Sequence, residues 1–179
     1  NATDDSGELK YVVVAHAGDK QTEQVELNGI AFQGVGSGTE IDHIQVHENS
    51  DNGVEFFGGT AEVKHVFLTD NHDDSLDWTD GWQGKAQYVS IHKKESTGDN
   101  GIEADNLEAD HDAQPRSNPT ISNLTMKGYD GNDLGLKIRR GTYGKFYNLI
   151  AVDFGQAQLG IDDKETDPKF YNSVLHYNK

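Results

Sequence analysis

The feature that most constrains the fold of this 179-residue chain is a repeated pattern of three apolar residues. Two residues separate the first from the second, and one separates the second from the third. Successive copies lie 22 to 35 residues apart, and the tetrapeptide KFYN occurs both at 145–148 and at 169–172. Repeats of this length are typical of solenoids, in which each repeat packs on its neighbours. The copies begin at Leu9, Ile41, Val63, Ala86, Ile121 and Phe146.

A second pattern follows each copy, usually 13 residues later: glycine or serine, then an apolar residue, then often a charged one. Glycine, asparagine and aspartate fill the chain between the patterns, and these residues favour turns. No stretch of 11 residues keeps apolar residues on a helical period, so we predict short strands joined by tight corners. The second pattern occupies 29–31, 53–55, 75–77, 101–103, 135–137 and 160–162.

Two all-β folds are compatible with these strands. Asn-Gly pairs at 28–29, 52–53 and 100–101 are typical of hairpins, which would give a sandwich. The recurrence of like residues at nearly constant spacing instead favours a parallel coil, in which each turn lies over the one before. We therefore predict a single domain over 1–179, a right-handed parallel β-helix of about seven rungs. The two longest spacings predict inserted loops near 15–27 and 104–118.

Three segments carry a family resemblance: SGELKYVVVAHAG, NGIAFQGVGSGTEIDHIQVHENSDNGVEFFGGTAEVKHV and DNGIEADN. They resemble the β-helix repeats of secreted and surface-lipoprotein proteins of bacteria, most of which have no assigned function. The resemblance implies an exported protein, located outside the cell or on its outer surface. The lipid-bearing cysteine of such lipoproteins is not present, since the chain contains no cysteine.

The charge of the chain is large and unevenly distributed. The formal net charge is −16, with 24 acidic and 6 basic residues in 1–112 but 7 acidic and 9 basic residues in 113–179. This balance excludes a nucleic-acid binder with a basic face. No window of 18 apolar residues is present, so we expect no transmembrane segment. Because the acidic charge is local, it indicates a site rather than a uniform solubility coat.

Stacking the rungs aligns Glu55, Asp77 and Glu103 in one column, which continues to Lys137 and Asp162. Neighbours in such a column are ~4.8 Å apart, and unpaired carboxylates this close repel each other. Protons, basic side chains or a hard cation must therefore accompany them, and Ca²⁺ is a possible cofactor. A solvated acidic face is the alternative. The candidate metal ligands are Asp51, Glu55, Asp74, Asp77, Asp99, Glu103 and Asp105.

The leading functional hypothesis is an exported module that binds a glycan or another extracellular ligand. The first alternative is a polysaccharide hydrolase or lyase, because the chain is similar in order to pectin-degrading β-helix hydrolases, which carry aspartates on successive rungs before a basic motif. Their Gly-His-Gly element is missing here. That resemblance implies acid and base roles for Asp73, Asp74, Asp77 and Glu103, and implies that Lys137 or Arg139 holds an anionic sugar.

The second alternative is a structural rod that associates end to end. Solenoids need caps over their open ends, and neither end of the sequence supplies an obvious one. We therefore expect flanking domains in a longer chain, or contacts of the ends with other subunits.

Two sets of ring-bearing residues are also candidates. Trp82 lies between glycines in a turn and is predicted to be exposed, as a surface on which a sugar ring stacks, whereas Trp78 alternates with Asp77 and is predicted to point inward. His43 and His65 share a repeat position with three asparagines, so we predict that all five form an internal ladder. The three asparagines are Asn123, Asn148 and Asn172.

Overall fold

The computed structural model describes residues 1–22, 25–94 and 98–176, which form two large parallel sheets and one small antiparallel pair. Sheet 1 contains β1 (Glu8–Ala15), β5 (Glu40–His47), β7 (Glu62–Thr69), β9 (Lys85–His92), β11 (Thr120–Lys127), β13 (Tyr143–Val152), β15 (Asp167–Tyr171) and β16 (Val174–His176). Sheet 2 contains β4 (Ile30–Gln33), β6 (Val54–Phe57), β8 (Leu76–Thr79), β10 (Ile102–Ala104), β12 (Leu134–Ile138) and β14 (Ala157–Ile161). The small pair is β2 (Lys20–Thr22) with β3 (Val25–Glu26). Among the described residues there is no helix with the length and apolarity that crossing a membrane requires.

The chain alternates between the two large sheets, and every pairing within them is parallel. It is therefore a right-handed parallel β-helix of about six turns, which confirms the predicted fold. Each apolar pattern of the sequence corresponds to the strands of one sheet. Ile41 and Val63 of the first pattern pair in sheet 1, and Val54 and Leu76 of the second pattern pair in sheet 2. The first predicted insertion contains β2 and β3, and the second is the loop 105–119 between β10 and β11.

The uneven spacing of the first pattern has a conformational cause. In the middle of six sheet 1 strands, and in the gap between β15 and β16, one residue adopts a positive φ of 51–59°, and this residue is skipped in the pairing register. The left-handed residue interrupts the two-residue alternation, so that two residues rather than one separate the first two inward side chains. The residues at this position are Tyr11, His43, His65, Tyr88, Asn123, Asn148 and Asn172.

The predicted internal ladder of histidines and asparagines is therefore aligned as expected but lies on the outside. Ile41 and Ile44, which flank the Asp42-His43 pair, take the interior positions. The His43 side chain therefore points outward and is 42% exposed. His65 is exposed to the same extent, and its ring stacks on that of His43 with centroids 4.3 Å apart. The amide of Asn148 donates to that of Asn123 at 3.2 Å, on the same outer face.

The internal ladder that the structure does contain occupies a different turn. Asn49 is fully buried, and its amide donates to the carbonyls of Asn52 (2.9 Å) and Leu27 (3.4 Å). Two rungs later, the buried ammonium of Lys93 donates to the equivalent carbonyls, those of Asn100 (2.8 Å) and Asp73. Lys93 thus takes the place of a ladder asparagine. Its ammonium group donates to backbone carbonyls that would otherwise be buried without a donor.

The core is a narrow stack of aliphatic and aromatic side chains between the two sheets. Trp78, Trp82, Phe56 and Phe146 are fully buried in it. Trp82 returns into the core because Gly84 leaves room, since a Cβ atom at Gly84 would overlap the carbonyl oxygen of Ala61 and the indole nitrogen of Trp82.

We predict that Gly84→Ala lowers the free energy of unfolding by about 3 kcal/mol, because backbone on one side and a packed indole on the other leave no room for a methyl group. Urea unfolding followed by tryptophan fluorescence measures this change. The matched control is Gly144→Ala, whose Cβ would be 3.2 Å from the nearest atom, a ring carbon of Phe146. Equal losses in the two variants would contradict the steric explanation.

Candidate functional site

The outer face of sheet 2 carries a column of charged side chains. The register pairs Glu55 with Asp77, Asp77 with Glu103, and Glu103 with Lys137, which confirms that these four predicted residues are aligned. The predicted continuation to Asp162 is wrong, because Lys137 pairs with Gly160. The strand β14 is shifted by two residues from the pattern expected at 160–162, so that Leu159 and not Ile161 takes the inward position opposite Leu136.

The three acidic residues of this column, Glu55, Asp77 and Glu103, form the floor of a cleft of about 600 Å³. The wall is the second inserted loop, which contributes Asp105, Leu107, Glu108 and Ala109. Insertions of a solenoid bulge from one face, and here the insertion covers the acidic rungs. The remaining lining residues are Glu55, Phe57, Asp77, Thr79, Asp80, Glu103 and Arg140.

Three carboxylates meet at the centre of the acidic rungs. Asp74, Asp77 and Glu103 each offer an oxygen, and these oxygens lie within 4.8 Å of one another. Asp77 and Glu103 line the cleft, whereas Asp74 lies beneath it with 4% of its surface exposed. The Asp74 carboxylate accepts a hydrogen bond from the backbone N–H of Asn100 at 2.7 Å.

Burial and like charge act together on these carboxyl groups. Burial, followed by the charges of Glu55 and Asp74, raises the pKa of Asp77 well above its ordinary value. Burial, followed by the charge of Glu103, raises the pKa of Asp74 in the same way. A raised pKa favours the protonated form of a carboxyl group, which is the form that a general acid needs.

Two asparagine amides donate hydrogen bonds to Glu55 and Asp77, at the N-terminal end of the column. Asn52 donates through Nδ2 to Oδ2 of Asp77 at 3.1 Å and to Oε2 of Glu55 at 3.2 Å. Asn28 donates to the same Glu55 oxygen at 2.5 Å. Burial raises the pKa of Glu55 from 4.5 to about 7, even though both amide hydrogen bonds act to lower it. Glu55 therefore titrates near neutral pH.

Basic residues form ion pairs with Glu103 and with the neighbouring Asp105, toward the C-terminal end of the column. Glu103 accepts from Lys137 at 2.9 Å and also from Arg139, while Arg139 Nε donates to Asp105 at 2.9 Å. Arg140 donates to Asp105 at 2.7 Å and to Glu108 at 2.9 Å. The expected role of Lys137 and Arg139 as holders of an anionic sugar does not fit this placement, because both cations lie against carboxylates of the protein.

A family comparison applies to this fold and its cleft. The whole chain, residues 1–179, matches the family model described as a pectate-lyase like beta helix domain. The chain belongs to the pectate-lyase-like β-helix family. No curated protein and no solved structure matches it.

In this pectate-lyase-like domain the predicted metal ligands divide into two groups. Asp74, Asp77 and Glu103 form the first, and Asp74 and Asp99 form the second together with Asp73. Among the described residues, the other predicted ligands belong to neither group: Asp51, Glu55 and Asp105. In the first group Glu103 is already paired with two cations, so the second group is the better fit for Ca²⁺.

The prediction that Trp82 offers an exposed surface to a sugar is wrong. Its ring is fully buried, stacks on Phe56 with centroids 4.1 Å apart, and donates through Nε1 to the Ala61 carbonyl at 3.1 Å. Trp78 points inward as predicted and donates to the hydroxyl of Thr142 at 3.1 Å. The sequence did contain a feature that indicates burial of Trp82. Gly84 has no side chain, so the Trp82 indole can pack closely against the backbone there.

The sequence predictions missed Asn28, Asn52 and Asp80 as site residues. A signal existed for the two amides, because they precede the Gly-apolar pair of sheet 2 by one position on successive rungs. Asp74 and Asn100 continue the same column on the next two rungs. Asp80 had no such signal, since it enters the cleft from the turn after β8.

We predict that Glu55→Gln stabilises the domain increasingly as the pH rises from 5 to 8. A folded pKa above the unfolded one means that the native state binds the extra proton, so the wild type loses stability as the pH rises through the window from 4.5 to about 7. The glutamine variant lacks this loss, and its advantage at pH 8 is on the order of 2 kcal/mol. Urea unfolding at pH 5, 6, 7 and 8 measures the difference.

The matched control is Glu8→Gln, which removes an exposed carboxyl group from sheet 1. Its stability difference from wild type is expected to stay nearly constant over the same pH range. A Glu55→Gln difference that is also constant would contradict the raised pKa of Glu55.

Proposed function

We propose that the cleft binds a carbohydrate chain and hydrolyses a glycosidic bond with retention of configuration. The observation that carries the proposal is the pair Asp77 and Glu103 on neighbouring rungs, whose oxygens lie within 4.8 Å of each other at the cleft floor. Carboxyl groups about 5 Å apart are typical of retaining glycosidases, whereas inverting enzymes leave room for a water molecule between them. The family assignment to a pectate-lyase-like β-helix agrees with a polysaccharide substrate.

Asp77 is the proposed general acid. Its raised pKa favours the protonated form that donates a proton, and the Asn52 amide fixes one of its oxygens at 3.1 Å. Glu55 acts as a positioning residue, since its charge, when it is ionised, adds to the effect of burial in raising the pKa of Asp77.

Glu103 is the proposed nucleophile. The ion pairs with Lys137 and Arg139 compensate its negative charge and fix its orientation toward the cleft. In the first step a Glu103 oxygen bonds to the anomeric carbon while the Asp77 proton moves to the departing glycosidic oxygen. In the second step water attacks the glycosyl ester, its proton returns to Asp77, and the Glu103 carboxylate is released.

The charge of the cleft supports an uncharged substrate. Among the described residues, six carboxyl groups and one cation, Arg140, line it, and that arginine is paired with Asp105 and Glu108. A negative cleft repels polyuronates and other anionic chains. Neutral glucans, xylans and mannans therefore fit better than pectate, and such polymers fit the exported, extracellular location that we propose from the sequence resemblance.

The test is reducing-sugar release from a panel of neutral polysaccharides, with polygalacturonate for comparison. We predict that Asp77→Asn and Glu103→Gln each lower kcat by at least about 10³-fold, because each removes one of the two groups that act on the bond. Azide added to Glu103→Ala is expected to restore turnover and yield a glycosyl azide. The matched control, Glu62→Gln, removes an ion pair with Lys85 on sheet 1 and is expected to leave turnover unchanged.

Turnover that is equal in wild type, Asp77→Asn and Glu103→Gln would exclude the catalytic pair.

A non-catalytic binding module is the second candidate, favoured by the two ion pairs that already occupy Glu103. Calorimetry with the same glycans separates the two: a binder shows glycan affinity with no product in the wild type, whereas an enzyme shows product.

We also propose that Ca²⁺ binds the group Asp73, Asp74 and Asp99. Burial, followed by the hydrogen bond with Asp133, raises the pKa of Asp99 to about 6, which indicates that its negative charge is poorly compensated. We predict that millimolar Ca²⁺ raises the Tm by a few degrees relative to EDTA, since a ligand that binds only the native state stabilises it. Asp99→Asn is expected to abolish this rise. Equal Tm values of the wild type in Ca²⁺ and in EDTA would contradict the site.

A further inference from the structure

A second cluster of ligand-type side chains lies on sheet 1, away from the acidic cleft. Asp42 and His43 are adjacent in β5, and His65 is the equivalent of His43 on the next rung. One oxygen and two ring nitrogens of these residues lie within 4.8 Å of one another. The cluster has no part in the proposed hydrolysis.

The two imidazoles converge on a single atom. His65 Nδ1 lies 2.7 Å and His43 Nδ1 lies 3.0 Å from Oδ1 of Asp42. Both rings present the same nitrogen because the left-handed backbone conformation is repeated from rung to rung, with φ of 52° and 53°. Backbone register therefore sets the geometry of the cluster.

Stacking holds the rings in this orientation. Tyr11 packs on His43 with centroids 4.6 Å apart, and Tyr88 packs on His65 at 5.0 Å. The imidazoles themselves stack at 4.3 Å. The ring column Tyr11–His43–His65–Tyr88 limits rotation of both imidazoles, so that less side-chain entropy is lost when a ligand binds them.

We propose that Asp42, His43 and His65 bind a divalent transition-metal ion of the Zn²⁺ or Cu²⁺ type. Imidazole nitrogens with a carboxylate oxygen are the ligands that these ions prefer, and hard cations such as Ca²⁺ take oxygen ligands instead. Tetrahedral zinc with bonds of about 2.05 Å separates its ligand atoms by roughly 3.3 Å. The observed separations of 2.7 and 3.0 Å would have to widen by roughly 0.6 and 0.3 Å to reach it.

The site leaves part of the metal open. Three protein ligands leave a fourth tetrahedral position, and the exposure of both histidines places it toward solvent. Water or a donor group from a second molecule would complete the coordination. The ion would link β5 to β7 on the outer face and stabilise the folded state by mass action.

A second histidine pair must be removed for a clean test. His16, His47 and Glu48 also bring ligand atoms within 4.8 Å of one another on sheet 1. Their rings are nearly perpendicular, with centroids 5.6 Å apart, and His47 Nδ1 is bonded to the Thr69 hydroxyl. The experiment therefore uses the full chain carrying His16→Asn and His47→Asn.

Zn²⁺ is titrated into this background by calorimetry. We expect one equivalent to bind, and we expect His43→Asn or His65→Asn each to raise the Kd at least tenfold. Asparagine is the matched substitution because the lower rungs carry it at the same left-handed position, for example Asn148. With Cu²⁺, electron paramagnetic resonance is expected to show coupling to two imidazole nitrogens in the background and to one in each variant.

The control is His92→Asn, which removes an exposed histidine of sheet 1 outside the cluster and is expected to leave the Kd unchanged. Far-UV circular dichroism and the metal-free Tm establish that each variant is folded. Either of two results would overturn the proposal: no Zn²⁺ binding in the background at millimolar concentration, or a Kd that neither histidine substitution changes.

Discussion

The parallel hydrogen-bond register between rungs is the constraint on which the rest of this structure depends. Each strand of sheet 2 places its residues directly over those of the strand before it, about 4.8 Å away. A residue type that suits one rung is thereby multiplied along the rod. In the core this gives continuous apolar packing, and on the outer face it aligns Glu55, Asp77 and Glu103 on three neighbouring strands. Two effects reduce the repulsion in this acidic column. The pKa values of Glu55 and Asp77 are raised, which favours their uncharged forms, and Glu103 is paired with Lys137 and Arg139.

The sequence predicted the architecture because its two apolar patterns are imposed directly by the register. It placed the four charged residues of the column correctly for the same reason. It failed at Asp162, where a two-residue shift in β14 leaves no trace in composition, and at Trp82, whose direction depends on the space that Gly84 leaves. The histidine ladder was aligned correctly but placed on the wrong face, since the left-handed residue that reverses the alternation is a backbone property.

The buried acidic groups make the proposed site costly for the fold. Desolvation and repulsion raise the pKa values of Asp74, Asp77 and Glu55, and each ionisation above those values destabilises the native state. Such costs are typical of functional sites, where groups are held in states that they would not adopt in water. The ladder on the inside of the same rungs offsets part of the charge, because the Lys93 ammonium lies close to Asp73 and Asp74.

The wall of the cleft has a different origin from its floor, and this difference separates two routes of divergence. Floor residues come one from each turn, so a point substitution exchanges a single chemical group while the backbone stays in register. The wall is one continuous loop after β10, whose length is not limited by the coil. A longer or shorter loop would therefore change the width of the cleft without disturbing the rungs, whereas a substitution on the rungs would change the chemistry of the floor and leave the width unchanged.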